Sequence, residues 1–372
     1  MTEIYLIRHT QAEGNLYRMM QGHWDGGVTA LGRKQIDALA ERLRSEKIDA
    51  VYSSDMYRAR CTAEAVTRYR DIELQIDTRL REINMGSWEA CFFGNICRQF
   101  PKEAELFVSR PQFWQAEGSE NYAQVSQRAY PALLEIAKKH EGQAVAIVSH
   151  GVTVRCLLSS ALNIPLERLE ELPICKNTAI SKLIYENGSF KDEYINDYKH
   201  LENIGGYVWS KTADLRDEAI DPAKEAEYYK ACYLDSWIAA HGSPDGFCAG
   251  IYLDSAMDHH FAHNGAIMKI FNEDEPVGLI DLDTERSAHA GIGWISLLYL
   301  KEDYRLKGYG AQLLGRAIMK YRKLGRKAIR LHVAADNKAA VAFYKKHGFV
   351  HLSSESNELG ELMLMERKLE VF

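Results

Sequence analysis

A chain of 372 residues with 46% hydrophobic and 26% charged side chains is long enough for two domains, each burying its own core. A net charge of −6 argues against a general nucleic-acid coat, and no apolar run approaches the roughly 20 residues a bilayer span needs, so neither nucleic acid nor membrane is an expected partner. The seven cysteines form no CxxC pair and read as free thiols in a reducing compartment. MTEIYLIRH lacks a signal-peptide pattern, so the expected location is the cytoplasm.

In chain order, Ile4 to Ile7 form an unbroken apolar run, the pattern of a buried parallel strand. Arg8 and His9 follow at its carboxyl end, where open α/β sheets place their ligand crevice. A polar loop over 21–27 precedes Thr29, which caps a predicted helix with Ile36, Leu39, Ala40 and Leu43 at helical spacing. AVYSS is a short strand, Arg58 stands near the start of the next segment, and Ile72 to Ile76 alternates like a strand. RLREINMGSWEA puts Glu82 in a loop with Gly86 and Trp88. Residues 91–118 read as an irregular or helical, aromatic-rich excursion and a candidate lid. A helix is predicted from Tyr122 to Lys139, with Pro131 expected to kink it or mark its start. AVAIVSHGV repeats the opening device, a strand followed by His150, Gly151 and a new helix. Asn187-Gly188 is a hairpin signal. Strands alternating with helices predict a mainly parallel sheet covered on both faces.

His9, His150, Arg8, Arg58 and Glu82 make a coherent chemical set. Phosphoryl transfer needs a nucleophile, positive charge around the equatorial oxygens and a proton for the leaving oxygen. Arginines beside His9 would keep it neutral and nucleophilic. Arg8, Arg58 and His150 would hold phosphoryl oxygens, and Glu82 would protonate the leaving group if burial raises its pKa. Each residue alone would read as a solvated or satisfied side chain; the ordered set carries the inference.

LIRHTQAEGN, Gln21-Gly22, TALGRKQ, YSSDMYRARCTAEA, LREINMGSWEA and VSHGVTVR, in that order, resemble the histidine phosphatase (phosphoglycerate-mutase-like) superfamily over roughly residues 1–202. The resemblance implies a three-layer α/β/α fold and a phosphohistidine at His9. It also implies that Glu82 is the acid/base, that Arg8, Arg58 and His150 are catalytic, and that Asn15, Gln21 and Gly151 bind substrate, although Asn15 and Gln21 also suit a loop brace. Thr10 and Ala90 stand where the family favours glycine, which bears on substrate choice. The domain is short for a bisphosphate-using mutase, so hydrolysis of a small phosphate monoester is the expectation and phosphoglycerate-mutase-type transfer the alternative.

The first pattern ends near Ile204, and Gly205-Gly206 breaks any element, so the expected domains are 1–203 and 204–372. A helix is predicted from Pro222 to Ala240 with Asp221 as cap. Gly265 to Phe271 and Val277 to Asp283 read as paired strands joined by NEDE, and Gly291 to Leu300 as a long apolar strand. An R-x-x-G-x-G loop, Arg305 to Gly310, then opens a helix with Leu313, Leu314, Ala317 and Ile318 inward. Lys327 to Val333 is a strand, Asn337 to His347 a helix, and Gly348 to Leu352 and Leu359 to Leu369 are strands. Glycines before a helix start suit a phosphate cradle.

LYLKEDYRLKGYGAQLL followed by HVAADNKAAVAFYKKHGFV resembles the GNAT superfamily of acyl-CoA N-acyltransferases, roughly over 207–372. The resemblance implies a mixed-sheet α+β fold and acetyl-CoA as co-substrate. Backbone groups of Leu298 and Leu300 would bind the acyl-pantetheine arm. Arg305, Leu306, Lys307, Gly308, Tyr309 and Gly310 would take the pyrophosphate, and Asn337 would help hold the cofactor. Tyr344 would protonate the departing thiolate. Glu285, Asp281 and His289 remain open as general base, and the acceptor is an amine, on a small molecule or a protein. In DHHFAH, His259 and His263 would share a helical face, but with no third ligand the segment reads as a solvated loop, and no metal is expected. Trp209, Trp237 and Trp294 read as core. The region 239–264 reads as irregular and specificity-setting, like 91–118. The expected whole is a bifunctional enzyme; the alternative for its second half is an acyl-CoA-binding regulatory module.

Overall fold

The computed structural model describes residues 1–204, 213–357 and 360–370. The expected Gly205-Gly206 break, Trp209 and Leu359 lie outside the described residues. The chain divides into two compact units, Met1–Cys91 with Ile96–Trp209, and Ser210–Val371 with Phe92–Asn95. Among the described residues no helix is long and apolar enough to cross a membrane.

The first unit is built on six strands: β1 (Thr2–Arg8), β2 (Ala50–Ser53), β3 (Leu74–Ile76), β4 (Ala144–Ser149), β5 (Ile180–Glu186) and β6 (Ser189–Asp197). Their order is β3-β2-β4-β1-β5-β6. The first four run parallel, and β5 and β6 are antiparallel additions. Parallel strands need crossovers, and the helices between them supply these: α1 (Glu13–Tyr17), α2 (Ala30–Leu43), α3 (Tyr57–Thr67), α4 (Phe93–Gln99, in this unit from Ile96 on), α5 (Pro101–Ser109) and α6 (Tyr122–Lys139); α7 (Gly151–Ala161) leads from β4 towards the antiparallel β5. Ile4, Leu6 and Ile7 are fully buried, as are Val145 to Val148, so both central strands face helices on either side. The β5–β6 hairpin turns at Asn187 and Gly188, both with positive φ (52° and 81°), as a two-residue primed turn requires.

Thr29 caps α2 by accepting from the Gly32 amide at 3.0 Å. Asn121 and Gln124 cap α6 reciprocally. Pro131 therefore does not mark the start of α6. It sits inside an 18-residue helix whose stripe of Val125, Ala129, Leu133 and Ile136 is buried, and this packing outweighs one lost backbone hydrogen bond. The 91–118 excursion is mainly helical and is pinned by aromatic contacts. The Trp88 and Trp114 rings lie 5.0 Å apart, and Phe107 packs edge-on to both.

The second unit holds β7 (Arg216–Ala219), β8 (Ile267–Asn272), β9 (Glu275–Ser287), β10 (Ile292–Leu300), β11 (Ala328–Ala334), β12 (Val350–Asn357) and β13 (Gly360–Lys368). They form a mixed sheet ordered β12-β13-β11-β10-β9-β8-β7. Among the described residues of this sheet only β10 and β11 pair in parallel, and their ladder stops at Ile295↔Leu331 although β10 continues to Leu300. At the same point the pairing of β10 with β9 on its other side shifts register, between Ile295 and Leu297.

Helices α8 (Ala226–His241), α9 (Ala249–Ala262), α10 (Gly310–Lys323) and α11 (Lys338–Lys346) complete the unit. Leu313, Leu314, Ala317 and Ile318 of α10 are buried, as their spacing predicts. Two expectations need correction. The first helix starts at Ala226, not Pro222: Asp221 accepts from the Ala223 amide at 3.0 Å, closing a turn that contains Pro222. Residues 249–262 are helical, not irregular. Of α9 only Ala256 is fully buried while Ile251 and Phe261 are exposed, so no apolar stripe announced it.

Candidate active sites

In the first unit the site grows from the strand register. Arg8 of β1 is level with Ser149 of β4. The next residues, His9 and His150, therefore emerge side by side, with ring centroids 5.1 Å apart and both rings buried. His9 Nδ1 lies 2.6 Å from the Thr10 carbonyl oxygen. A carbonyl only accepts, so Nδ1 carries the proton and the free lone pair falls on Nε2. Burial first, then the charges of Arg58 and Arg8, holds His9 well below the usual histidine value of 6.5. Burial, with Arg58 next, does the same to His150.

Arg58, on α3, is fully buried. It donates to Asp25 Oδ1 at 2.9 Å, to the Gly22 carbonyl at 2.8 Å and to the Trp24 carbonyl at 3.2 Å. Its Nε, both nitrogens of His150 and Gln21 Oε1 are buried without a protein partner. Buried polar atoms are rarely left so, and the unsatisfied donors suit an anion. Arg8 reaches the Cys175 carbonyl through Nη1. A Cβ at Gly151 would stand 3.3 Å from Arg8 Nε, so glycine there admits the guanidinium. Glu82 accepts from the Val152 and Thr153 amides at 3.1 and 3.2 Å, which ties its carboxylate to the first turn of α7, beside His150. Asn15 Oδ1 accepts from the Ala12 amide at 3.0 Å, and the Gln21 side chain packs on Gly14.

The two departures from the family pattern have local roles. Thr10 Oγ1 donates to the Gly32 carbonyl at 2.7 Å and to Gln35 Oε1 at 3.0 Å. Ala90 has φ +60°, a left-handed conformation natural to glycine. Three supporting residues escaped the sequence reading. Asp25 holds Arg58, and His23 Nε2 and Arg128 Nη2 meet the Glu82 carbonyl oxygen at 2.9 and 2.8 Å. Asp25 and His23 lay in the polar loop already singled out; Arg128, on the middle of α6, gave no signal.

In the second unit the parting of β10 from β11 frees the β11-facing edge of the segment that carries Leu298 and Leu300. The 305–309 loop follows, with Leu306 at φ +60° and Gly308 at +91°, and α10 opens at Gly310 with no side-chain cap. Uncapped first-turn amides, with Leu306, Lys307 and Gly308 exposed, fit the phosphates of coenzyme A. The Arg305 side chain is engaged within the protein: Nε donates to the Leu300 carbonyl at 2.8 Å and Nη2 pairs with Asp235. It braces the loop, whose backbone is left to face an anion. Tyr309 packs on Tyr304 with centroids 5.5 Å apart. Asn337 caps α11, accepting from the Ala340 amide at 3.0 Å. Tyr344, on α11, packs edge-on against Phe349, and burial pushes its phenol up.

His259 corrects the solvated-loop reading. It lies on α9, with Nδ1 2.6 Å from Asp281 Oδ1 and Nε2 3.4 Å from Asp283 Oδ2. Tyr229 donates to the other Asp281 oxygen at 2.6 Å. Asp281 is fully buried and committed to this network. Asp283 and Glu285 instead line a cleft with Asp258 and His259. Among the described residues no group of His, Cys, Asp and Glu could hold a metal ion. Trp294 is buried, and Trp237 packs among His241, Phe247 and Tyr252.

The sequence model of the histidine phosphatase superfamily (branch 1) matches residues 4–198, and that of the acetyltransferase (GNAT) family matches 226–349. The chain belongs to the histidine phosphatase superfamily, branch 1, and carries a GNAT acetyltransferase domain after it. Among curated relatives, "Probable phosphoglycerate mutase GpmB" of Salmonella choleraesuis (strain SC-B67) is 30% identical over 207 residues, covering 54% of this chain and 96% of the relative. Among solved structures, Bacillus stearothermophilus YhfR is 34% identical with a TM-score of 0.53, covering 54% of this chain and all of its own. A mycobacterial glucosyl-3-phosphoglycerate phosphatase complexed with VO3 is 26% identical with a TM-score of 0.50, covering 53% of this chain and 99% of its own.

Proposed function

We propose that the chain is a bifunctional enzyme of the cytoplasm. Its first domain hydrolyses small phosphate monoesters through a phosphohistidine, and its second transfers an acetyl group from acetyl-CoA to an amine. The observation that supports the first reading most directly is the buried His9–His150 pair beside Arg58, whose Nε and neighbouring His150 nitrogens have no protein partner.

In this reading His9 Nε2 attacks phosphorus in line with the ester oxygen. Arg8, Arg58 and His150 hold the equatorial oxygens as negative charge redistributes, and the carboxyl of Glu82 gives a proton to the departing alkoxide. Water, deprotonated by Glu82, then attacks the phosphohistidine, so inorganic phosphate leaves and His9 returns neutral. Asn15, Gln21 and Gly151 border the substrate. Phosphate accumulation from a monoester panel without added bisphosphate tests this; activity that appears only with a bisphosphate supports the mutase alternative, the activity for which the Salmonella relative is named.

In the second domain acetyl-CoA supplies the acyl group when bound. The chain's own part is to orient and to move protons. The free edge of β10 at Leu298 and Leu300 would hold the pantetheine arm, and the Leu306–Gly310 backbone with Lys307 would hold the phosphates. Asn337 fixes α11, and the Tyr344 hydroxyl donates a proton to the leaving sulfur. Coenzyme A release across an amine panel tests this; tight acetyl-CoA binding with no release for any amine supports the regulatory-module alternative.

A further inference from the structure

The loop between α7 and β5 grips the catalytic dipeptide in a way no motif announces. Asn177 Nδ2 donates to the His9 carbonyl oxygen at 2.9 Å, and Asn177 is 6% exposed. The Thr178 amide donates to the Arg8 carbonyl at 3.0 Å, and the Arg8 amide donates to the Ala179 carbonyl at 3.2 Å. With the Arg8–Cys175 contact, residues 175–179 bind both backbone and side chain of Arg8 and the backbone of His9.

The peptide that joins His9 to Thr10 is held at both ends. Asn177 takes its oxygen, and Thr62 Oγ1 accepts from its nitrogen at 2.8 Å. That plane carries the chain into Thr10, whose own carbonyl meets His9 Nδ1 and so selects the tautomer with its lone pair on Nε2. The loop is also strained. Thr178 is fully buried with φ +56°, an outlier for a β-branched residue, and its hydroxyl shares a 3.0 Å hydrogen bond with His200 Nε2.

We propose that Asn177 is a positioning residue for the nucleophile. Through the His9–Thr10 peptide it sets where the imidazole points, and Thr178 holds the Arg8 side of the same turn. The inference rests on the reading of His9 as the phosphorylated residue.

Phosphate release from p-nitrophenyl phosphate by the full chain tests it, with orthovanadate affinity read in parallel from the shift in unfolding temperature. In Asn177→Ala, kcat is expected to fall about ten- to a hundredfold with KM within about twofold of the unmodified chain. Asn177→Asp keeps the shape but sets an acceptor against the His9 carbonyl, and is expected to fall at least as far. A merely structural role would lower the unfolding temperature and leave kcat of the folded fraction unchanged; that result, or full kcat in Asn177→Asp, overturns the proposal. If the unmodified chain releases no phosphate from any monoester, the hydrolase reading fails on its own and vanadate decides. Weakening in Asn177→Asp by about tenfold or more then upholds the positioning role, and unchanged affinity overturns it.

Discussion

His9 and His150 sit 5.1 Å apart because Arg8 and Ser149 are register partners on parallel strands. Two histidines separated by 140 residues thereby share one buried, cation-flanked site. His9→Ala is expected to abolish phosphate release, by at least about a thousandfold, together with any acid-labile adduct in quenched enzyme. His150→Ala should keep the adduct but slow its formation about a hundred- to a thousandfold, as loss of one oxyanion donor does. Rapid-quench phosphate assays on the two variants check both statements.

Arg58 is a buried charge with a fixed fork of partners. Arg58→Ala removes the ion-pair partner of the partly buried Asp25, which keeps only the Tyr57 amide, and strands the Gly22 and Trp24 carbonyls, so it is expected to cost about 1–3 kcal/mol or more. Arg58→Lys keeps the charge but cannot serve Asp25 and the Gly22 and Trp24 carbonyls together. Its unfolding temperature is expected to fall less than that of Arg58→Ala, while KM for a monoester still rises. Calorimetry with steady-state kinetics separates the two effects.

His9 and His150 in the first unit and His259 in the second are expected to contribute to stability with opposite pH dependence. His9 and His150 stay neutral when folded but take up protons below 6.5 when unfolded. The unfolded state therefore gains protons first on acidification. Stability of the first unit is full above pH 6.5 and declines below it, by up to about 1.4 kcal/mol per pH unit for each histidine. Burial pulls His259 downward, but hydrogen bonds to Asp281 and Asp283 outweigh it and carry it up to about 9. Its contribution to the second unit is full below 6.5 and is lost as pH rises through about 9. Burial lowers His347 of the second unit to about 4 and pulls that unit the other way, so the check is calorimetry of the unmodified chain beside His259→Ala at pH 5, 7 and 9: the variant should lose stability at pH 5 and 7 and little at pH 9 or above.

Ala90→Gly should stabilise the first unit by about 0.5–1 kcal/mol, since relief of the left-handed strain exceeds the added entropy of glycine in the unfolded chain. Urea unfolding measures this. An unchanged midpoint would mean that the backbone at φ +60° carries no strain.

Tyr344→Phe removes a protonated hydroxyl and little volume. Coenzyme A release is expected to slow about ten- to a hundredfold while acetyl-CoA affinity holds. Equal loss of both would assign Tyr344 to packing against Phe349.

Alternation of apolar strands, helix caps and the Asn187-Gly188 turn determined most of both folds from local chemistry alone. RH and SHG at strand ends, and the R-x-x-G-x-G loop, pointed to the groups proposed to react and to bind, because a short motif must carry its chemistry in consecutive residues. Other features needed the folded chain. α9 has no apolar stripe, so nothing local distinguished it from a loop. Asp281 looked like a free base until Tyr229 and His259, from two helices, closed on it. Nor did the loop motif show that Arg305 pairs with Asp235, 70 residues away. Asn177 and Arg128 reach their partners across more than 40 residues, 168 in the case of Asn177 to His9 and 46 for Arg128 to Glu82. Such pairings follow from where whole elements pack, and periodicity along the chain records only which face of an element is apolar, not which polar group it will meet.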